Sequence, residues 1–416
     1  MKIIIFEDSQ YNDFFPVTLT RPVWDIRCGI FTIHYRYATL FPSQFPDSIY
    51  FYTRHHLEAI AHMQYPQLHI NEPVKMNHSE ELLFINARVI YPELSDLHDN
   101  TIYMHNGIPV LAKLHEAAIP QFTTTEDVQN FLQNKAVVAN YKGYVLTSLW
   151  ELIDNNGDII TQDFKLIKNP RGNNSVTILG DSSQLIVEDD VTIEPYVVID
   201  CTKGPVYIGK GCSIKSFTRI EGPCAIADNT ILLQAKVREG CSIGPWCRVG
   251  GEVEECIFQG FANKYHEGFI GHAYIGSWVN LGAMTTNSDL KNNYTTVKLF
   301  IGEEKITTGL LKVGCFIGDY TMTSIGTLIN TGTVMGPGCM VIHNGAITPK
   351  FIPPFSWYID GTIVDLPAED KFFATCKTMM SRRNVEFTAE HRKLLEEVRS
   401  QTKIYRKGIG RWNVPK

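Results

Sequence analysis

The chain has 416 residues, room for two or three domains. Hydrophobic residues make up 44% and charged residues 20%, a globular balance. With 38 Lys and Arg against 44 Asp and Glu, no basic excess exists to neutralise a nucleic-acid backbone, and no apolar run reaches the roughly 18–20 residues needed to cross a bilayer.

The opening MKIIIFEDSQ is too short for a signal-peptide core and is expected to be a buried strand over Lys2–Phe6. Helices are expected at 31–40 and 57–62, and strands or strand–turn pieces at 81–89 and 102–111. Thr125–Gln133 has a Thr cap, acids in its first turn, and Val128, Phe131 and Leu132 at helical spacing. A further helix is expected at 144–152. Strands alternating with helices predict an α/β domain over residues 1–167. The polar, turn-forming KNPRGNNSV at 168–176 is expected to be a linker.

From residue 178 the texture changes. Apolar residues recur every six positions: Val187, Ile193, Ile199; Ile208, Ile214, Ile220, Ile226; Val237, Ile243, Val249; Phe269, Ile275, Leu281. After a break come Leu311, Ile317, Ile329, Met335, Val341 and Ile347, with Thr323 in the gap. A helix has no reason to repeat at six, and an isolated strand repeats at two. The pattern fits a solenoid whose hexads each supply one flat face and one corner, with three faces per coil, over residues 178–360. The polar stretch 291–308 interrupts the hexads and is expected to bulge out or carry ligand contacts. Residues 361–416 are expected to form a helical extension closing the end of the solenoid. Its apolar face would be Phe372, Phe373, Cys376, Met379 and Met380. Ten cysteines occur without a C-x-x-C pair. They are read as small fillers of a narrow interior in a reduced, cytoplasmic protein.

The densest cluster of functional side chains lies at 263–293: Lys264, His266, His272, Asn280, Asn287, Asp289 and Lys291. Residues about 18 apart stack on one face of such a coil, so these groups can converge. Within it, KYHEGFIGHAYIGSWVNLGA resembles the acetyltransferase site of the bifunctional UDP-N-acetylglucosamine diphosphorylase/glucosamine-1-phosphate N-acetyltransferase (GlmU) family. The hexads resemble the left-handed parallel β-helix of hexapeptide acyltransferases. On that resemblance His266 is the catalytic base and Phe269 the aromatic residue beside it. Asn280 holds the amino sugar, and Ala283 presents its backbone to acetyl-CoA. His272 stands where the family has Asp. Arg248, Lys264 and Asn287 are the candidates for the sugar phosphate.

The segment FPVTLTRPVWDIRCG at 15–29 resembles the P-L-T-x-x-R-P stretch of sugar-phosphate nucleotidyltransferases. The family's glycine loop is replaced by EDSQYND at 7–13, its Lys by Val23, and a metal-binding Asp by Asn86. On this divergent resemblance Arg21, Arg27 and Asn86 are the nucleotide or sugar-phosphate contacts; ion pairing with Glu7, Asp8 or Asp25 is the alternative.

The implied protein is a cytoplasmic homotrimer in sugar-nucleotide biosynthesis, with small-molecule sugar phosphates as partners and neither nucleic acid nor membrane. It would use acetyl-CoA and UTP as co-substrates, with Mg²⁺ for nucleotidyl transfer. The exposed aromatics Trp246 and Trp278 would supply interface area. Proton removal from the amine suits an imidazole, and backbone N–H groups at coil corners suit the thioester oxyanion. Two other readings are an acetyltransferase with a non-catalytic head, and a trimeric scaffold without enzyme activity.

Overall fold

In the computed structural model, which describes residues 1–76, 80–116, 119–135, 137–167, 176–342 and 344–411, Lys2–Phe6 is an inner strand with Ile3, Ile4, Ile5 and Phe6 fully buried. Contacts divide the chain into two units, residues 1–26 with 31–148, and residues 27–30 with 149–416. Nearly all of the expected linker, 168–175, lies outside the described residues.

Among the described residues of the first unit, seven strands form one sheet. Lys2–Phe6 runs parallel to Ile49–Tyr52 and to Glu80–Asn86. Parallel neighbours need crossovers, and helices α1 (Ile33–Leu40) and α2 (His55–Gln64) lie in the connections. Thr101–His105 and Ile108–Glu116 make an antiparallel hairpin at the other side. Helix α3 (Thr125–Gln133) starts at a capping box in which Thr124 and Asp127 satisfy each other's backbone N–H. The helix expected at 144–152 begins only at 149: Leu146 N–H donates to the Arg88 carbonyl (2.9 Å), which ties its segment down as extended chain. Helices α4 (Leu149–Asp154) and α5 (Asn156–Phe164) follow, and both group with the second unit rather than the first. The side chain of Asn156 explains this. It donates to the Gly240 carbonyl (2.8 Å) and Ser242 Oγ (2.9 Å), and accepts from Gly29 N–H (2.7 Å).

In the second unit the hexads build a parallel coil. Ile208 lies opposite Ile226, and Ile226 opposite Ile243. The stacked parallel ladders are consistent with the left-handed β-helix that the resemblance implies. Most of the expected inward residues are buried, and the cysteines from Cys201 to Cys339 pack among them as interior fillers. Three positions depart from the hexad reading. Phe269 is only half-buried and Ile270 fully buried, because the inward residues Ile270 and Ile275 stand five positions apart rather than six. Leu311 and Ile347 are 51% and 57% exposed, beside the insertion and near the last coils. The interruption at 291–308 does bulge: Lys298–Ile301 and Glu304–Thr307 form an antiparallel hairpin.

The chain then turns into helices α6 (Glu369–Ser381) and α7 (Ala389–Gln401). Phe372, Phe373, Cys376 and Met380 of α6 are buried as expected. Corner residues Trp246, Phe261, Trp278 and Tyr320 all hold φ between 57° and 61°, an uncommon conformation for a side chain of that size. Packing compensates at this column: Phe261 stacks on Trp278 at 4.3 Å, and Tyr320 reaches Met380 Sδ of α6 at 3.8 Å. Trp278 is thus buried inside the chain (6% exposed) and not free for an interface; Trp246 is exposed. No described helix is long and apolar enough to cross a membrane.

Candidate functional site

His266 sits exposed in the corner between Asn263–Lys264 and Phe269–Gly271. Its ring lies edge-on to Tyr265 at 5.7 Å. Gly268 closes this corner at φ 128°, where a Cβ would come within 2.1 Å of the Thr285 carbonyl. The Glu267 carbonyl accepts from Met284 N–H (2.8 Å), so the corner bearing Ala283 is the next along the stack. The Ala283 carbonyl is taken by Gly326 N–H (2.7 Å), whereas its own half-buried N–H meets no acceptor among the described residues. An imidazole and an unpaired backbone donor therefore occupy adjacent corners.

Lys264 is not at the surface. It pairs with Val249 in the ladder and is 2% exposed, in a position that other coils fill with an aliphatic side chain. Its Nζ donates to the carbonyls of Gly250 (2.8 Å) and His266 (2.9 Å), and burial pulls its ammonium down to about 8. It holds the His266 corner from inside and is not a phosphate ligand. Asn287 is likewise committed: its amide accepts from Gly271 N–H (2.8 Å) and donates to the Gly271 carbonyl (2.9 Å), in the manner of a strand partner.

His272 has both ring nitrogens engaged, Nδ1 with Asp289 (2.9 Å) and Nε2 with Glu255 (3.0 Å). Burial alone would push this imidazole down, but the hydrogen bonds and charges of Asp289 and Glu255 raise it to about 9. It is a buried cation at neutral pH and cannot act as a base there. The folded chain binds this proton more tightly than the unfolded one. Its stabilisation is therefore complete below about pH 6.5 and lost as pH rises through about 9, on the order of 3 kcal/mol. The thermal midpoint of the wild type minus that of His272→Gln should shrink across this window. A difference that stays constant up to pH 9.5 would show that His272 is not held as a cation.

Arg248, Asn263, Asn280 and Met322 follow one another across one face of the coil. Asn263 Nδ2 donates to Asn280 Oδ1 (3.3 Å). Arg383, just past α6, donates to Asn263 Oδ1 (2.7 Å). Sequence reading missed Asn263, Arg382 and Arg383; nothing in a helical tail points to a coil face 120 residues earlier.

In the first unit, buried carboxylates and guanidiniums pair off. Glu7 takes Thr53 Oγ1 (2.6 Å), Val23 N–H (3.0 Å) and Arg54 Nε (3.0 Å). Asp8 takes Arg88 Nε (3.0 Å) and Asn86 Nδ2 (2.7 Å). Arg21 reaches Asp25 at 3.2 Å, both side chains buried. Ion pairing is thus the geometry of Arg21, and Asn86 serves the buried network. Arg27 belongs to the second unit, where it donates to the carbonyls of Gln259 (3.3 Å) and Ile30 (2.9 Å). A divalent cation does not fit this cluster, because Glu7, Asp8 and Asp25 each already face a guanidinium. The one metal-capable group among the described residues, Glu81, Asp99 and His115, encloses the Lys113 ammonium (3.2 and 2.8 Å).

Residues 3–172 match the family of sugar nucleotidyl transferases. The chain is 32% identical over 133 residues to the bifunctional protein GlmU of Burkholderia vietnamiensis, covering 30% of this chain and 28% of that protein. It is 29% identical over 175 residues to the bifunctional sugar-1-phosphate nucleotidylyltransferase/acetyltransferase of Sulfurisphaera tokodaii, covering 39% of each. Among solved structures, the UDP-N-acetylglucosamine acyltransferase of Francisella novicida aligns over 58% of this chain and 94% of that one, at 13% identity and a TM-score of 0.29. These curated relatives are matched over 28% and 39% of their length. Residues 3–172 are thus similar to a sugar nucleotidyl transferase domain, and the chain is similar to the bifunctional GlmU family.

Proposed function

We propose that the coil transfers an acetyl group from acetyl-CoA to the amine of an amino-sugar phosphate, with glucosamine-1-phosphate as the substrate the resemblance favours. The observation that carries this reading is His266, an exposed imidazole one corner from the unpaired Ala283 N–H. The amine nitrogen attacks the thioester carbonyl as His266 takes its proton. Ala283 N–H receives the developing oxyanion, and the C–S bond breaks to release CoA, which takes up a proton. A covalent acetyl-thiol route has no support. All ten cysteines are buried, and burial pushes thiols such as Cys247 and Cys256 up to about 12. Asn280 and Arg248 are assigned to the acceptor, on the face beside that corner.

For the N-terminal domain we propose uridylyl transfer from UTP to the sugar-1-phosphate. No step through Mg²⁺ is included, since Glu7 and Asp8 are already neutralised. The pairing of Arg21 with Asp25 favours a second reading, a domain that binds or regulates without transferring nucleotide. Ten buried thiols suit a reducing compartment, so the cytoplasm is the proposed location, and a homotrimer the proposed assembly. The test is one assay with glucosamine-1-phosphate, acetyl-CoA and UTP that follows CoA and pyrophosphate separately. CoA without pyrophosphate selects the second reading. Release of neither removes the enzyme reading. A monomeric mass by light scattering at micromolar concentration would remove the trimer.

A further inference from the structure

A cavity of about 410 Å³ lies between the coil face and α6, lined by Phe261, Asn263, Trp278 and Asn280 from the coil and by Thr378 and Arg383 among the residues opposite. Its charges are of one sign. Arg382 and Arg383 both line it, and Arg248 stands next to Asn263 on the same ladder. None of the three has a carboxylate partner among the described residues. Arg383 is 8% exposed, and its Nε has no hydrogen-bond partner. Burial, then the nearby Arg248 and Arg382, pull the Arg383 guanidinium below its ordinary range. A buried guanidinium crowded by two others, with an unmet donor, is costly unless an anion joins it. The opposite wall is aromatic: Phe261 and Trp278 are stacked at 4.3 Å, with planes 20° apart.

We propose that this cavity binds the phosphate of a small molecule, held by Arg382 and Arg383 with Arg248 beside them, while its ring rests on the Phe261–Trp278 wall. Guanidiniums match phosphate oxygens in a fork geometry, and a flat or sugar ring suits an aromatic surface. The Asn263–Asn280 pair supplies neutral polar contacts on the floor. Two ligands share this chemistry, the adenosine phosphate of a coenzyme and the phosphate of an amino sugar. The inference rests on the acetyl-transfer reading only for the choice of these probes.

The experiment is calorimetric titration of the full chain with CoA and, separately, with glucosamine-1-phosphate. It uses the wild type, Arg382→Ala and Arg383→Gln. At least one probe should bind the wild type, more weakly as salt is raised. The substitutions should weaken that probe about ten- to hundredfold, the worth of one or two charge-assisted hydrogen bonds. Loss confined to CoA identifies the coenzyme phosphate, and loss confined to glucosamine-1-phosphate the sugar phosphate. Arg382 is exposed, so Arg382→Ala keeps the test valid if Arg383→Gln fails to fold. Wild-type affinity of Arg382→Ala for both probes, or no binding of either by the wild type, overturns the proposal. Binding is read without turnover, so a chain that binds a probe but releases no CoA refutes acetyl transfer and not the pocket.

Discussion

His266→Ala should lower acetyl transfer about 10²–10⁴-fold, the usual worth of a positioned general base. CoA affinity and unfolding temperature should stay as in the wild type. The side chain is exposed and makes no hydrogen bond among the described residues, so its removal leaves no buried group unpaired. The corner is held instead by backbone and by Lys264, whose ammonium donates to the His266 carbonyl rather than to the ring. His272→Ala should behave in the opposite way. It strips a buried cation from Glu255 and Asp289 and should lower stability, while transfer measured well below the unfolding temperature survives. A dead His272→Ala beside a nearly normal His266→Ala would mean that the base lies on the other corner and that the site is misaligned.

The coil was legible because its repeat is enforced at nearly every turn: an interior this narrow favours an aliphatic or a small side chain at most inward positions. Where that rule bends, sequence reading slipped. The frame was misplaced at Phe269 because the inward Ile270 and Ile275 are five residues apart, a short step that a strict count of six passes over. Lys264 looked like a ligand because a lysine inside a solenoid runs against burial statistics; only the two facing carbonyls make it tolerable. The role of His272 did leave a signal. Glu255 and Asp289 stand 17 residues before and after it, one coil each way, so a carboxylate was due on either side. Arg383 left none, since its partner Asn263 lies across the whole insertion and the last coils. In the first unit, strands and helices followed from alternating texture. The partners of Glu7 and Asp8 did not, because Arg54 and Arg88 were equally available to phosphate on sequence grounds; Asp25 was among the ion-pair alternatives named for Arg21.

Those buried pairs set the second large expectation, that Asp8→Ala costs about 3–5 kcal/mol of stability, the usual penalty for stranding a buried charge. The Arg88 side chain is 4% exposed and the Asp8 side chain fully buried. Removing the carboxylate leaves the guanidinium with only the Leu146 carbonyl (2.9 Å) as an acceptor among the described residues. It also removes the nearer of the two acceptors of Asn86 Nδ2, leaving the Pro109 carbonyl at 3.5 Å, and the cap on Gln10 N–H (2.9 Å) that starts the turn Ser9–Phe14. A double variant, Asp8→Val with Arg88→Met, removes both charges together and should recover much of the loss. Apolar pairs often replace buried ion pairs at little cost, whereas half a pair is expensive. Urea unfolding of the three proteins reads this directly. The same series separates two roles for the segment that stands in place of the glycine loop. If Asp8 is structural, pyrophosphate release should return in the double variant along with stability. An Asp8→Ala protein that unfolds at the wild-type urea concentration yet releases no pyrophosphate would show that the carboxylate serves nucleotide chemistry, and a cation at Asp8 would again be needed to explain it.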